Sequence, residues 1–285
     1  TINVAMIIWL ASYPKSGNTW LRSMIGALLF TSDGIFDFKY LKKIRQFPVH
    51  YQFEGLIQDP NDIHEIKKKW IIAQNKLNLD KKIKFLKTHQ GFYVIDNYPF
   101  TNRDNTLATI YIVRDPRNLI TSISNHYNLS IEKSLDFIST PKALKGRFEK
   151  DGRTFKSVRT MLGNWSDHYK SWTTNKNKLL VIRYEDLISN TSIELEKIIF
   201  FLKDFLKIDT NDIKNRNILE STSFENLKRM EKNGKFNESV YTKSENRINF
   251  FHLGKENKWE NIIEKKISNE IEKRFYNEMR ELNYL

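Results

Sequence analysis

Four short apolar runs punctuate the chain, each closed by polar or turn residues: 6–12 (MIIWLAS), 82–88 (KIKFLKT), 106–113 (TLATIYIV) and 178–184 (KLLVIRY). Runs of this length and composition predict buried strands. Between them the pattern changes period. Trp20, Leu21, Met24, Ile25, Leu28 and Leu29 fall on one face of a helix. After Val113, Asp115 suits an N-cap and Pro116 the first helical position, so a second helix is expected to about Tyr127. The Glu-, Lys- and Ile-rich stretch from about Trp259 to Leu282 is expected to be helical as well. Strands alternating with helices predict an α/β fold, a mostly parallel sheet covered on both faces. Residues 36–78 and 129–163 read as helical insertions and loops. Insertions at the carboxyl ends of strands usually build the substrate side of such folds. No repeat, linker or domain boundary is visible, and the expectation is one domain over residues 1–285.

The first strand runs into Tyr13-Pro14-Lys15-Ser16-Gly17-Asn18-Thr19 and then the first helix. A helix N-terminus offers unpaired backbone N–H groups and a positive dipole end. Gly17 permits a positive φ or a close backbone approach. Lys15 adds a charge, and Ser16, Asn18 and Thr19 add donors. The stretch is an oxyanion cradle, or else a plain strand–turn–helix connection with a solvated lysine. It is not the Walker A loop, because no glycine precedes Lys15 and Gly17 follows it. An ordinary ATPase or GTPase is therefore disfavoured.

Composition narrows the classes. Hydrophobic residues make up 40% and charged residues 28%, which allows a buried core. The 47 Lys+Arg against 34 Asp+Glu give a net charge of +13. That balance suits an anionic partner, or reflects a lysine-rich composition without functional meaning. There are no cysteines, which excludes disulfides, thiolate metal sites and a cysteine nucleophile. No cluster has zinc or calcium ligand spacing. The apolar run near the start is too short to span a bilayer, no signal peptide is visible, and a cytoplasmic location is expected.

Three further stretches complete a pattern. They are Lys87-Thr88-His89 at the second strand, Arg114-Asp-Pro116 followed by Ser122 at the third, and Arg183-Tyr184-Glu185-Asp186-Leu187 at the fourth. With the YPKSGNTW loop, in this order and spacing from about Ile8 to Trp259, they resemble the sulfotransferases that use 3′-phosphoadenosine-5′-phosphosulfate (PAPS).

The resemblance implies a parallel sheet like that of P-loop nucleotide kinases. It also implies transfer of a sulfuryl group from PAPS to a hydroxyl or an amine, with no metal required. It assigns Lys15 to the bridging oxygen and the leaving phosphate. Ser16, Gly17, Asn18, Thr19 and Trp20 complete the cradle. Arg114 and Ser122 match the pair on the 3′-phosphate. Tyr184, and with less specificity Thr222 and Phe224, match residues near the adenine. His89 matches the general base, and Lys87, two residues earlier on the same strand face, stands to assist at the sulfuryl group. His50, His64, His126, His168 and His252 occupy no base position.

The chain also departs from the family. An Arg-Lys-Gly triplet that grips the 3′-phosphate is replaced by His252-Leu253-Gly254, five residues before Trp259. Lys255 and Arg247 are the available compensating cations. The family's C-terminal dimerisation motif would fall around residues 260–270, where its Lys, Thr and Val are missing. The acceptor is a small molecule, a glycan or a lipid, and the sequence carries no code for it. The alternatives are a catalytically degenerate nucleotide binder of the same fold and a basic nucleic-acid-binding protein. The second lacks its signature, since Lys and Arg are spread along the chain. No specific nucleic-acid partner is expected.

Overall fold

The computed structural model describes residues 6–148, 155–174, 177–234, 236, 240, 241 and 247–285. Two compact units emerge. One is built from Thr1–Tyr13, Ile44–Tyr111 and Thr140–Val181, the other from Pro14–Lys43, Ile112–Ser139 and Ile182–Leu285. The elements that position the candidate site are, in chain order, β1 (Ile7–Ala11), α1 (Asn18–Phe30), β2 (Arg45–Gln46), β3 (Lys84–Thr88), β4 (Thr106–Val113), α2 (Pro116–Tyr127), α3 (Trp165–Thr173), β5 (Leu179–Arg183), α4 (Tyr184–Ser189), α5 (Asp212–Ser221), α6 (Phe224–Lys232) and α7 (Lys265–Arg274).

Among the described residues a five-stranded sheet runs in the order β5-β4-β1-β3-β2. β1 pairs in parallel with β3 (Trp9 opposite Leu86) and with β4 (Trp9 opposite Thr109), and β2 pairs in parallel with β3. The four expected strands are present, trimmed by a residue or two at most ends. Every residue of β1 is buried, as a central parallel strand requires. Trp9 anchors the first unit. Its ring lies 5.6 Å from Phe47, 5.2 Å from Phe100 and 6.2 Å from Trp172, and its indole N–H donates to Thr106 Oγ1 at 2.9 Å. A buried indole is tolerated when its one polar atom is paired, and here it is.

In the second unit, α1 buries Leu21, Met24, Ile25 and Leu28. The α2 helix starts as its sequence predicts. Pro116 is first, and the Asp115 side chain accepts the Arg117 N–H. Arg117 then carries a buried network, to Asp115 (2.7 Å), Glu272 of α7 (2.7 Å) and the Tyr284 carbonyl (2.7 Å).

Three expectations need correction. The insertion 129–163 carries strand as well as helix, for Lys142–Leu144 pairs antiparallel with Thr160–Gly163. The insertion 36–78 holds not only helices but β2, an edge strand of two residues that takes its pairing from β3. The C-terminal segment is not one helix. A 3-10 turn at Trp259–Asn261 precedes α7, and a break at Phe275 (φ −114°, ψ 23°) precedes a last helix, Tyr276–Glu281. Phe275 is 3% exposed. Ile271, Phe275 and Met279, four residues apart, are all buried, so one apolar face runs through the break.

Candidate active site

The loop after β1 has two residues in the left-handed region, Lys15 (φ 68°) and Gly17 (φ 101°). For lysine this conformation costs about 1 kcal/mol or more, so the surrounding structure must hold it. Alternating hands of backbone curl the N–H groups of a loop inward, which makes a concavity for an anion. Glycine at 17 is also a matter of space. A Cβ there would lie 2.5 Å from Tyr184 Cδ2 and 3.1 Å from Ile112 Cδ1. Gly17 is the N-cap of α1. No side chain caps that helix, and its first turn carries no acidic residue. Its positive end is left to an outside group.

Three side chains around this loop point the same way. Ser16 Oγ, Trp20 Nε1 and Arg114 Nε are buried and make no hydrogen bond among the described residues. A buried donor without a partner costs about 1–3 kcal/mol. All three can donate, so the missing partner is an acceptor, and an oxyanion fits. Asn18 and Thr19 are buried at 5% and 4% exposure in the same helical turn.

Arg114 ends β4. Its Nη1 donates to the Lys15 carbonyl at 3.2 Å, and its guanidinium lies 4.3 Å over the Tyr184 ring. Nearby carboxylates are engaged elsewhere. Asp115 is held by Arg117, and Asp186 by Arg183 at 2.5 Å. Glu185 accepts the Asp115 N–H (3.1 Å) and the Tyr284 hydroxyl (2.9 Å), and burial raises its pKa although Arg114 pulls it down. Among the described residues Arg114 forms no ion pair, so its charge remains for a ligand. Burial raises the Tyr184 phenol pKa, against the pull of Arg114. Ser122 lies half-buried on α2.

An aromatic row continues from there. Tyr184 lies 5.9 Å from Trp20, and Trp20 6.5 Å from Phe224. Phe224 covers Gly254 (φ +57°), where a Cβ would come 2.4 Å from the ring. Thr222 is different. It is fully buried, and its hydroxyl donates to the Ile218 carbonyl at 2.7 Å, so it offers no outward donor. Lys255 is exposed in the turn Gly254–Glu256. That turn is tied to α2 through Asn257. It accepts from Thr121 Oγ1 at 2.6 Å and donates to the Asn118 carbonyl at 2.9 Å. Sequence reading missed Asn118, Thr121 and Asn257, because lone polar residues so far apart carry no pattern. Lys15 Nζ sits 3.6 Å above the Phe250 ring. Arg247 contributes to a strand at the edge of what is described, and its side chain lies outside the described residues.

In the first unit, His89 follows β3 directly. Its Nδ1 is 2.8 Å from the Ser12 carbonyl. A carbonyl only accepts, so Nδ1 carries the proton and the lone pair resides on Nε2, the tautomer a base needs. The backbone of His89 is held by α3. His168 Nε2–H donates to the His89 carbonyl at 3.1 Å, and Tyr111 O–H donates to His168 Nδ1 at 2.8 Å. Trp172 Nε1–H donates to the Gln90 carbonyl at 3.0 Å, and Ser171 Oγ accepts the Phe92 N–H at 2.9 Å. His168 is fully buried, and burial lowers its pKa from 6.5 to about 4, against the His89 carbonyl bond that raises it. It is a neutral, fixed histidine. Its signal in the sequence was the apolar face Trp165, His168, Tyr169 and Trp172, spaced for one side of a helix. Lys87 stands in β3 opposite Leu10 and Gln46 and is half-buried.

Among the described residues no group of three or more His, Asp or Glu side chains is arranged to hold a metal ion, and no helix is long and apolar enough to cross a membrane.

Comparison with known proteins bears on the family and the fold. Sulfotransferase 1B1 of Mus musculus is 27% identical over 223 residues, which is 78% of this chain and 65% of that protein. The 3-alpha-hydroxysteroid sulfotransferase of Cavia porcellus is 25% identical over 222 residues, 77% of this chain and 65% of that protein. The chain thus spans about two thirds of the length of these curated relatives. The crystal structure of mouse sulfotransferase SULT7A1 complexed with PAP superposes with a TM-score of 0.58 at 23% identity, covering 98% of this chain and 85% of that one. That likeness shows the shared fold. The family model of the sulfotransferase domain matches residues 7–283, nearly the whole chain, and the protein belongs to the sulfotransferase family.

Proposed function

We propose that this chain moves a sulfuryl group from PAPS to the hydroxyl of a small-molecule acceptor by in-line displacement. The observation that carries the reading is the set of buried, unpartnered donors at the uncapped start of α1, namely Ser16 Oγ, Trp20 Nε1 and Arg114 Nε. They are residues that the resemblance assigns to the nucleotide. PAPS, when bound, supplies the sulfuryl group and the phosphate it leaves from. The reading takes the two units as one sulfotransferase domain.

Lys15 and the N–H groups of Gly17 to Trp20 stabilise the charge that grows on the leaving oxygen, which is electrostatic catalysis by fixed donors. Arg114 and Ser122 hold the 3′-phosphate, which does not react, and so set the position of the reacting end. His89 Nε2 takes the acceptor proton as the acceptor oxygen bonds to sulfur. The bridging S–O bond breaks, and its electron pair stays on the departing phosphate. Adenosine 3′,5′-bisphosphate and the sulfated acceptor are the products. Lys87 assists at the sulfuryl oxygens. Tyr184 and Phe224 cover the adenine. The relatives that are named hydroxysteroid sulfotransferases support an alcohol as acceptor.

The test has two parts. Adenosine 3′,5′-bisphosphate should raise the melting temperature by mass action, and ATP at the same concentration should do less. Labelled sulfate should then pass from PAPS to at least one member of a panel of phenols, steroid and lipid alcohols, and glycans. Equal stabilisation by ATP and the bisphosphate would sink the assignment of Arg114 and Ser122. Selective binding without transfer to any acceptor would leave a nucleotide binder of this fold, the reading that the His252-Leu253 departure favours.

A further inference from the structure

The helix Trp70–Asn78, in the first unit, buries Trp70, Ala73 and Gln74 on one side. Lys68 and Lys69 lead into it with right-handed backbone (φ −66°, ψ −17° and φ −108°, ψ −7°), and Leu79 leaves it the same way (φ −59°, ψ −31°). At about 3.6 residues per turn, Lys68, Ile72, Asn75, Lys76 and Leu79 therefore share the other side. Each of these is exposed. Two of them are large aliphatic residues, Ile72 at 41% and Leu79 at 78% exposure. Lys81 and Lys82, also exposed, follow directly.

From Lys67 to Lys82 six lysines stand against one acidic residue, Asp80. Lys67, on the inner side, is 3% exposed and pairs with Asp96. Among the described residues none of Lys68, Lys69, Lys76, Lys81 and Lys82 forms an ion pair. The nearby carboxylates are engaged elsewhere. Asp80 is held by Lys84, and Glu65 accepts the N–H of Gln58 (2.9 Å) and of Asp59 (3.3 Å). The complement of such a face is an extended negative surface that also takes up aliphatic side chains. A bilayer containing anionic lipid offers both. Nucleic acid offers the charge, but it is gripped by aromatic stacking and planar guanidinium groups, and this side of the helix carries neither.

We propose that this face docks the protein on a membrane surface of anionic lipid, with its lysines at the headgroups and Ile72 and Leu79 set into the boundary beneath them. Docking makes no demand on the reacting residues. Lys82 precedes β3 and His89 follows it, so the length of that strand separates the face from the candidate base. The proposal therefore stands independently of the PAPS reading.

The experiment is co-sedimentation of the whole chain with vesicles of phosphatidylcholine alone and of phosphatidylcholine mixed with phosphatidylserine. The protein should bind the mixed vesicles, release them as salt rises and ignore the neutral ones. A lysine near such a surface contributes roughly fivefold to binding, so Lys68→Gln, Lys76→Gln and Lys82→Gln combined should cost ~100-fold. Arginine at the same three positions should restore binding. Glutamine at Lys265, Lys266 and Lys273 removes the same charge from exposed positions of α7 and should cost little. Leu79→Ser, with every charge kept, should weaken binding several-fold. Equal losses from the two glutamine triple variants would mean attraction by net charge alone and overturn the assigned face. Unchanged binding of Leu79→Ser, or neutral vesicles bound as well as mixed ones, overturns it too. A DNA duplex whose affinity falls as far in the first triple variant as that of the vesicles would give the face to nucleic acid instead.

Discussion

Replacing His168 by glutamine should remove a specific piece of the protein's acid sensitivity. His168 is fully buried, with its pKa lowered from 6.5 to about 4. The folded state therefore resists a proton that the unfolded chain accepts near pH 6.5. Stability from this group is complete above that pH and is lost as pH falls toward 4, because there the unfolded state binds more protons. At about 1.4 kcal/mol per pH unit, the interval between 6.5 and about 4 amounts to ~3 kcal/mol. Most of it, roughly 2–3 kcal/mol, is already gone at pH 4.5. Glutamine has no proton to gain, and its amide can still donate to the His89 carbonyl. Urea unfolding followed by tryptophan fluorescence at pH 7 and pH 4.5 measures the effect. With a slope of ~3 kcal/mol per molar, the wild-type midpoint should fall about 1 M further on acidification than that of His168→Gln. The variant should be the less stable protein at pH 7 and close to the wild type at pH 4.5. If both proteins lose the same stability, His168 is not the group that titrates, and the neutral, carbonyl-bound histidine described above is wrong.

Other outcomes follow from the loop and the strand ends. His89→Ala should lower kcat by the ~10²–10⁴-fold typical of a lost general base while leaving bisphosphate affinity nearly unchanged. Full turnover of this variant with an un-ionised alcohol would assign the base elsewhere. Arg114→Ala should raise the KM for PAPS more than it lowers kcat, because its phosphate contact exists before and during reaction. Lys15→Ala should chiefly lower kcat. Steady-state kinetics that show one common pattern for both would erase that division of labour. Gly17→Ala sets a methyl group 2.5 Å from the Tyr184 ring at a positive φ. It should lower the melting temperature and abolish bisphosphate binding. A variant with wild-type affinity would show that the loop does not need its observed shape.

What was legible in the sequence is local. The strand–loop–helix at Lys15 to Trp20 could be read because each element there follows from neighbours in the chain: an apolar run, a glycine, then a helical period. The same holds for Asp115 and Pro116, which begin α2 by their own backbone chemistry. The motif order supplied the family. Other features exist only once distant segments meet. The edge strand β2 has two residues and no period of its own, and it is a strand because β3 presents an edge to it. The C-terminal helix breaks at Phe275 although the buried positions Ile271, Phe275 and Met279 keep helical spacing through it, so nothing in the local pattern marks the break. His168 read as a spare histidine until α3 placed its imidazole between Tyr111 and the His89 carbonyl. Ile72 and Leu79 could as well have been core until Trp70, Ala73 and Gln74 took the buried side of their helix. Hydrogen-bond partners and burial at such separations depend on which surfaces pack together, and periodicity along the chain carries no record of that choice.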